Sequence, residues 1–195
     1  MNDVRRGFVL LAAALALGTC TVPGTTITVP NGDFALPTLG PATVYAYSAD
    51  NWTREGDCGR APLSQGNIAA FANVTSSGTA NGLSQALADV FEEGEYELLV
   101  KAGGGSSGLT SRITLGYMEG STVVEVAHDD AIPGVLAFGS TTTGWVNQSL
   151  TVTIAAGDVA YGKPIWIGIK GLTASAATFY FDQMNFWDDV SLTLR

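Results

Sequence analysis

The sequence predicts an all-β chain folded as a two-sheet antiparallel sandwich. Three observations carry that expectation. Beyond residue 24, apolar residues recur with period two in short runs. Gly, Ser, Asn and Asp separate the runs. Charged residues make up only 14% of the 195 residues, while Gly, Ser and Thr abound. Eight or more strands at this spacing bury one face each only by packing in two layers.

The chain opens differently. Arg5-Arg6 precede the apolar run Phe8–Leu17, and small residues follow. This is the layout of a secretory leader, here expected over residues 1–20, with one sandwich domain over 21–195. The run is shorter than the roughly 20 apolar residues of a transmembrane helix, and no second such run follows. Cleavage points lie after Ala16, Gly18 or Cys20. A rival reading attaches lipid at Cys20, but Thr19 is a poor neighbour for that chemistry. The expected location is extracellular. Cys20 and Cys58 can bridge there only if cleavage precedes Cys20; otherwise Cys58 is single.

The charge balance narrows the partners. The chain holds 9 Lys+Arg against 18 Asp+Glu, a net of −9. Removing residues 1–18, with Arg5, Arg6 and Asp3, leaves −10. Such a surface repels phosphate backbones and anionic lipid, so nucleic acid and membrane surfaces are disfavoured.

The elements follow in order. Gly32–Ser77 is the least regular stretch, carrying Tyr45, Tyr47, Trp52 and Cys58 on long loops with one or two short strands. Leu83–Phe91 has good helix formers, yet Leu83, Gln85 and Leu87 alternate. Glu95–Ala102 sets Tyr96, Leu98, Val100 and Ala102 on one side. Gly103–Gly108 is a glycine-rich turn. Thr110–Met118 and Thr122–Ala127 read as strands joined by Glu119-Gly-Ser121. Gln148–Ile154 aligns Leu150, Val152 and Ile154. After Ala156-Gly-Asp158 and Tyr161-Gly-Lys163, Pro164–Lys170 aligns Ile165, Ile167 and Ile169. Thr178–Met184 closes the pattern.

Three landmarks occur in order: Val29-Pro-Asn-Gly-Asp-Phe-Ala-Leu-Pro37; Gly82-Leu-Ser-Gln-Ala-Leu87 followed by Gly94-Glu-Tyr-Glu-Leu98; and Tyr180-Phe-Asp-Gln-Met184 followed by Trp187-Asp-Asp-Val-Ser-Leu-Thr193. In this the chain resembles the galactose-binding-domain-like jelly rolls of bacterial secreted proteins and carbohydrate-binding modules. The resemblance covers nearly the whole chain after the leader. It implies a jelly roll, and it decides for a strand over Gly82–Ala88. It also implies a structural calcium between the first and last strands. Here Ala35 stands where that family carries an acidic ligand. Asn31 and Asp33, closed by Asp182 or Asp189, are the substitutes.

Candidate chemistry is sparse. His128 is the only histidine and is expected exposed in a polar turn with Asp129-Asp130. No nucleophile elbow, phosphate loop or zinc-protease motif is present. Aromatic residues are the better signal, because sugars stack their apolar faces on Trp or Tyr beside polar groups. Trp166 lies opposite the three isoleucines of its strand, beside Gly168, and is expected to form an open platform. Trp52, Tyr45 and Tyr47 are expected at a loop rim. The leading expectation is a secreted, non-catalytic carbohydrate-binding domain. The alternatives are a structural or adhesive surface protein assembling by strand addition, and a jelly-roll polysaccharide lyase or hydrolase, for which one histidine and few basic residues are a thin supply.

Overall fold

The computed structural model describes residues 24–40, 45–63, 68–74, 80–136, 144–173 and 183–195. The expected leader, Cys20, Asp182 and most of the expected strand Thr178–Met184 lie outside the described residues. Among these residues twelve strands run in chain order. They are β1 (Thr25–Ile27), β2 (Thr53–Glu55), β3 (Cys58–Pro62), β4 (Ile68–Asn73), β5 (Asn81–Val90), β6 (Gly94–Gly104), β7 (Thr110–Glu119), β8 (Thr122–Ala131), β9 (Gly134–Val135), β10 (Val146–Ile154), β11 (Pro164–Thr173) and β12 (Met184–Leu194).

One sheet has the order β10-β6-β12-β4-β3, with β1 beside β12 and β9 beside β6; the other has the order β2-β5-β11-β7-β8. All pairings are antiparallel except the short β6–β9 contact. The two sheets form the sandwich that the period-two runs predict. Ile165, Ile167 and Ile169 of β11, with Ile113 and Leu115 of β7, are fully buried in one cluster with Tyr96, Leu98 and Val100 of β6. Gly82–Ala88 is strand, within β5, and Leu83 and Leu87 face that core. Burying that face outweighs the local helix propensity of the segment.

Two sequence expectations change. Among its described residues, the stretch Gly32–Ser77 holds three strands rather than one or two. β4 was hard to see because it does not alternate: Ala70 and Ala72 face the main core, while Phe71 is buried on the other face with Leu136, Met184 and Phe186. A strand buried on both faces reads as a continuous apolar run. His128 lies inside β8, not in a turn after it, because β8 continues to Ala131. A bulge shifts the β7–β8 register between Leu115↔Ala127 and Gly116↔Glu125, leaving Val126 as the extra residue. That extra residue brings Glu125 and His128 to one face, where the His128 Nδ1 pairs with the Glu125 carboxylate.

Candidate functional site

The expected indole shelf is not what the fold builds. Trp52 is 7% exposed; its Nε1 donates to the Asn31 carbonyl at 3.1 Å and its ring packs on Phe34 at 5.0 Å. It plugs the loop end of the sandwich instead of lining a rim. Trp166 does lie on the face opposite the isoleucines, but it is only 6% exposed. Its cross-strand neighbours are Ala86 and Gly116, and Gly168 follows on its own strand. With no bulk on three sides the indole lies down along β11, where a Cβ on residue 168 would collide with it. Neither tryptophan offers an open ring face.

The tyrosines do. Residues 45–47 run alongside β3, with Ala46 and Arg60 exchanging backbone bonds of 2.8 and 2.7 Å. The period of two then turns Tyr45 and Tyr47 to one side. Their rings meet edge to face at 5.2 Å and 72°, and both rest edge-on against Phe71 at 6.2 and 6.3 Å. Each tyrosine stays 44% exposed. The Arg54 guanidinium of β2 lies 4.9 Å from the Tyr47 ring centre. The result is a two-walled aromatic corner with a cation at one wall.

Arg60 holds this corner from below. It is fully buried; Nε donates to the Ser48 carbonyl and Nη1 to the Phe34 carbonyl at 2.9 Å. Burial pulls its pKa down from the ordinary value, and Asp50 opposes that. Arg54 and Arg60 were not singled out from the sequence. The only available sign was a lone arginine between small residues in Cys58-Gly-Arg-Ala-Pro62.

The calcium expectation meets a structural obstacle. The Asn31 amide is already committed: Nδ2 donates to the Leu36 and Asp50 carbonyls at 2.9 and 3.0 Å, and Oδ1 accepts from the Leu36 amide at 2.8 Å. Asn31 therefore staples its loop and is no free ligand. Asp33 and Asp189 line a cleft of about 540 Å³ with Leu99, Lys101 and Asn147. The Lys101 ammonium pairs with Asp189 there, placing a cation where a metal would need an oxygen. Among the described residues, no group of three or more His, Cys, Asp and Glu side chains is placed to hold a metal. As placed here, Asn31, Asp33 and Asp189 do not fit a calcium ion; Asp182 lies outside the described residues.

Asp188 titrates abnormally beside this cleft. Burial, with Asp189 and Asp33 nearby, pushes its pKa up to about 6, against an accepted bond from the Asp189 amide at 2.8 Å. A carboxyl in an unfolded chain titrates near 3.9. The folded state thus holds the proton more tightly, so this group favours folding most below about pH 4 and loses that contribution as pH rises through about 6. Asp188→Asn removes this dependence. The expected result is a variant more resistant to urea than the parent at pH 7.5, with a gain several-fold smaller at pH 4.5, measured by fluorescence-monitored denaturation. An equal gain at both values would mean that Asp188 titrates normally.

Of the two cysteines expected to bridge, only Cys58 lies among the described residues. Cys58 is a free, buried thiol donating to the Gly82 carbonyl at 2.8 Å, and burial raises its pKa to about 11. Such a thiol is neutral and unreactive at ordinary pH.

No family model and no curated protein matches the chain. Solved structures do. A Stig cyclase, Fisc from Fischerella sp. TAU, in complex with (3Z)-3-(1-methyl-2-pyrrolidinylidene)-3H-indole, is 17% identical, covers 89% of this chain and 98% of its own, and has a TM-score of 0.62. A cyclase from the same source in complex with 4-(1H-indol-3-yl)butan-2-one is 20% identical over 88% of this chain and 98% of its own, at 0.61. TmCBM61 in complex with beta-1,4-galactotriose is 12% identical over 86% of this chain and 97% of its own, at 0.50. At these identities the likeness is one of fold, the two-sheet β-sandwich described above. Among the described residues, no helix is long and apolar enough to cross a membrane.

Proposed function

We propose that this chain is a secreted, non-catalytic carbohydrate-binding module that holds a neutral glycan in the corner formed by Tyr45 and Tyr47. The observation that carries the reading is the pair of half-exposed rings at 72° with Arg54 at one wall. A pyranose ring has one face of C–H groups that lies flat on a phenol ring, while its hydroxyls need donors and acceptors at the rim. Tyr45 supplies the floor, Tyr47 with Arg54 stacked over its ring the wall, and the Arg54 guanidinium donors reach the sugar hydroxyls. The net charge of −9 favours neutral over polyanionic glycans. A solved structure of like fold with galactotriose in its name is in keeping with this reading. Binding rather than catalysis is favoured because the only histidine is spent on Glu125, on β8 of the other sheet.

Affinity electrophoresis through gels containing soluble galactans, xylans or glucans tests the proposal. Retardation by at least one neutral glycan is expected. Tyr47→Ala and Tyr45→Ala each weaken it by about tenfold, the scale of one lost ring contact. Release of reducing or unsaturated sugar from the same glycans would move the protein to the enzyme class. Folded protein that no glycan retards would remove the proposal.

A further inference from the structure

Nearly every edge of the two sheets is blunted among the described residues. β1 and β2 have three residues each. β3 ends at Pro62, and Ala46 already bonds to its outer side. β8 is interrupted by the Val126 bulge and carries Glu125, His128, Asp129 and Asp130. β10 has none of these devices. Its nine residues, Val-Asn-Gln-Ser-Leu-Thr-Val-Thr-Ile, contain no charge, Gly or Pro. It pairs with β6 in unbroken register from Val146↔Ala102 to Ile154↔Gly94 and ends its sheet. An edge strand that is long, regular and uncharged offers its outward N–H and C=O groups as a template for another strand.

We propose that β10 is a strand-addition interface for a second copy of this chain, the two β10 strands pairing antiparallel about a two-fold axis at Leu150.

The occupant follows from the strand's own sequence. Full overlap of β10 with itself sets Leu150 against Leu150, Ser149 against Thr151, Asn147 against Thr153 and Val146 against Ile154. On the solvent face uncharged polar groups meet, hydroxyl with hydroxyl or amide; on the core face Leu150 and the Val146–Ile154 pairs are apolar, and Gln148, whose amide is bonded inward, stands against Val152. The chain carries −9 in all, so most of its surface opposes self-association, yet no like charges face each other along this strip.

The ends of the strand agree. β9 occupies the next two positions along β6 beyond Val146, so exposed Val135, with Ile132 at 73%, continues the edge there. At the other end Val159, 78% exposed, lines a cleft of about 340 Å³ with Val152 and Ile154. Antiparallel pairing brings the first end of one copy to the second end of the other. Both apolar patches are then covered in the same step that pairs the backbones.

Sedimentation velocity across a micromolar concentration series tests this. The intact chain is expected to shift from monomer to dimer. Ser149→Lys with Thr151→Lys, at two exposed positions, sets lysine against lysine at both symmetry-related contacts and weakens the dimer by about tenfold or more. Ser149→Glu with Thr151→Glu does the same with carboxylates. Mixing the two variants restores dimers, now as heterodimers, because each lysine then faces a glutamate. Hydrogen exchange on the unaltered chain gives a reading that needs no variant: β10 amides gain protection as concentration rises. A chain that stays monomeric throughout, or a dimer that the paired lysines leave unchanged, overturns the proposal.

Discussion

Replacing Arg60 with alanine is expected to lower the free energy of unfolding by about 2–4 kcal/mol, because two carbonyls lose bonds from a charged donor, each worth about 1.5–3 kcal/mol, while the cost of burying the charge is relieved. The Phe34 carbonyl would lose its guanidinium donor inside the protein, and the Ser48 carbonyl would lose its donor at a part-buried position. A domain of this size is stable by only about 5–15 kcal/mol, so the variant should be close to unfolding at 37 °C. Arg60→Met separates two contributions. It keeps an apolar stem in the space but supplies no donor, so it should recover the packing and not the bonds. Arg60→Lys has one charged head in place of a fork and should fall between the parent and alanine. Urea midpoints in the order parent, lysine, methionine, alanine would agree with this; an unchanged midpoint for alanine would show that water serves those carbonyls. Ser48 follows Tyr47 directly, so Arg60→Met should also loosen the tyrosine corner. It is expected to lower glycan retention while the protein remains folded.

Trp187→Ala is the second large effect, expected at about 3–5 kcal/mol, the usual cost of deleting a buried aromatic side chain. Trp187 is fully buried, and its loss also breaks a polar link between the two sheets. Its Nε1 donates to Ser111 Oγ at 2.7 Å; that hydroxyl donates to Gln148 Oε1 at 2.9 Å; and Gln148 Nε2 donates to the Ser111 and Asp129 carbonyls at 3.2 and 2.8 Å. The chain of bonds runs from β12 to β7 to β10 to β8, crossing the sandwich at each step. Trp187→Phe keeps most of the volume and should cost about 1–2 kcal/mol through the stranded hydroxyl. Ser111→Ala should cost a similar amount. The double variant should cost less than the two added together, because both act on one network. Strict additivity in thermal or urea unfolding would mean that the groups act independently.

The sequence revealed the sheets better than the site. Period-two apolar runs marked β6, β10 and β11 because each buries a single face, and Gln148 shares its parity with Leu150 and Ile154, so its inward turn could be read as well. β4 was hidden because both of its faces are buried. The bulge at Val126 was hidden because one extra residue leaves no compositional trace, and it moved His128 into a strand. For the site, counting aromatics found Tyr45, Tyr47, Trp52 and Trp166 but could not rank their exposure. That depends on what each ring finds beneath it. Gly168 gives Trp166 room to lie down, and the Asn31 carbonyl takes the Trp52 N–H inward. Phe71 holds the two tyrosines up. Arg54 and Arg60 reach the corner from different strands, a meeting made only by the fold. The resemblance implies Asn31 as a substitute metal ligand, but its amide closes its own loop.

Nitration of tyrosines with and without a retarding glycan, followed by peptide mapping, asks most directly whether sugar rests on this corner. Tyr161, 47% exposed on the turn before β11, serves as the internal control. Bound glycan should protect Tyr45 and Tyr47 together while Tyr161 reacts at its usual rate. Tyr45 and Tyr47 nitrated equally fast with glycan bound would place the ligand elsewhere on the molecule.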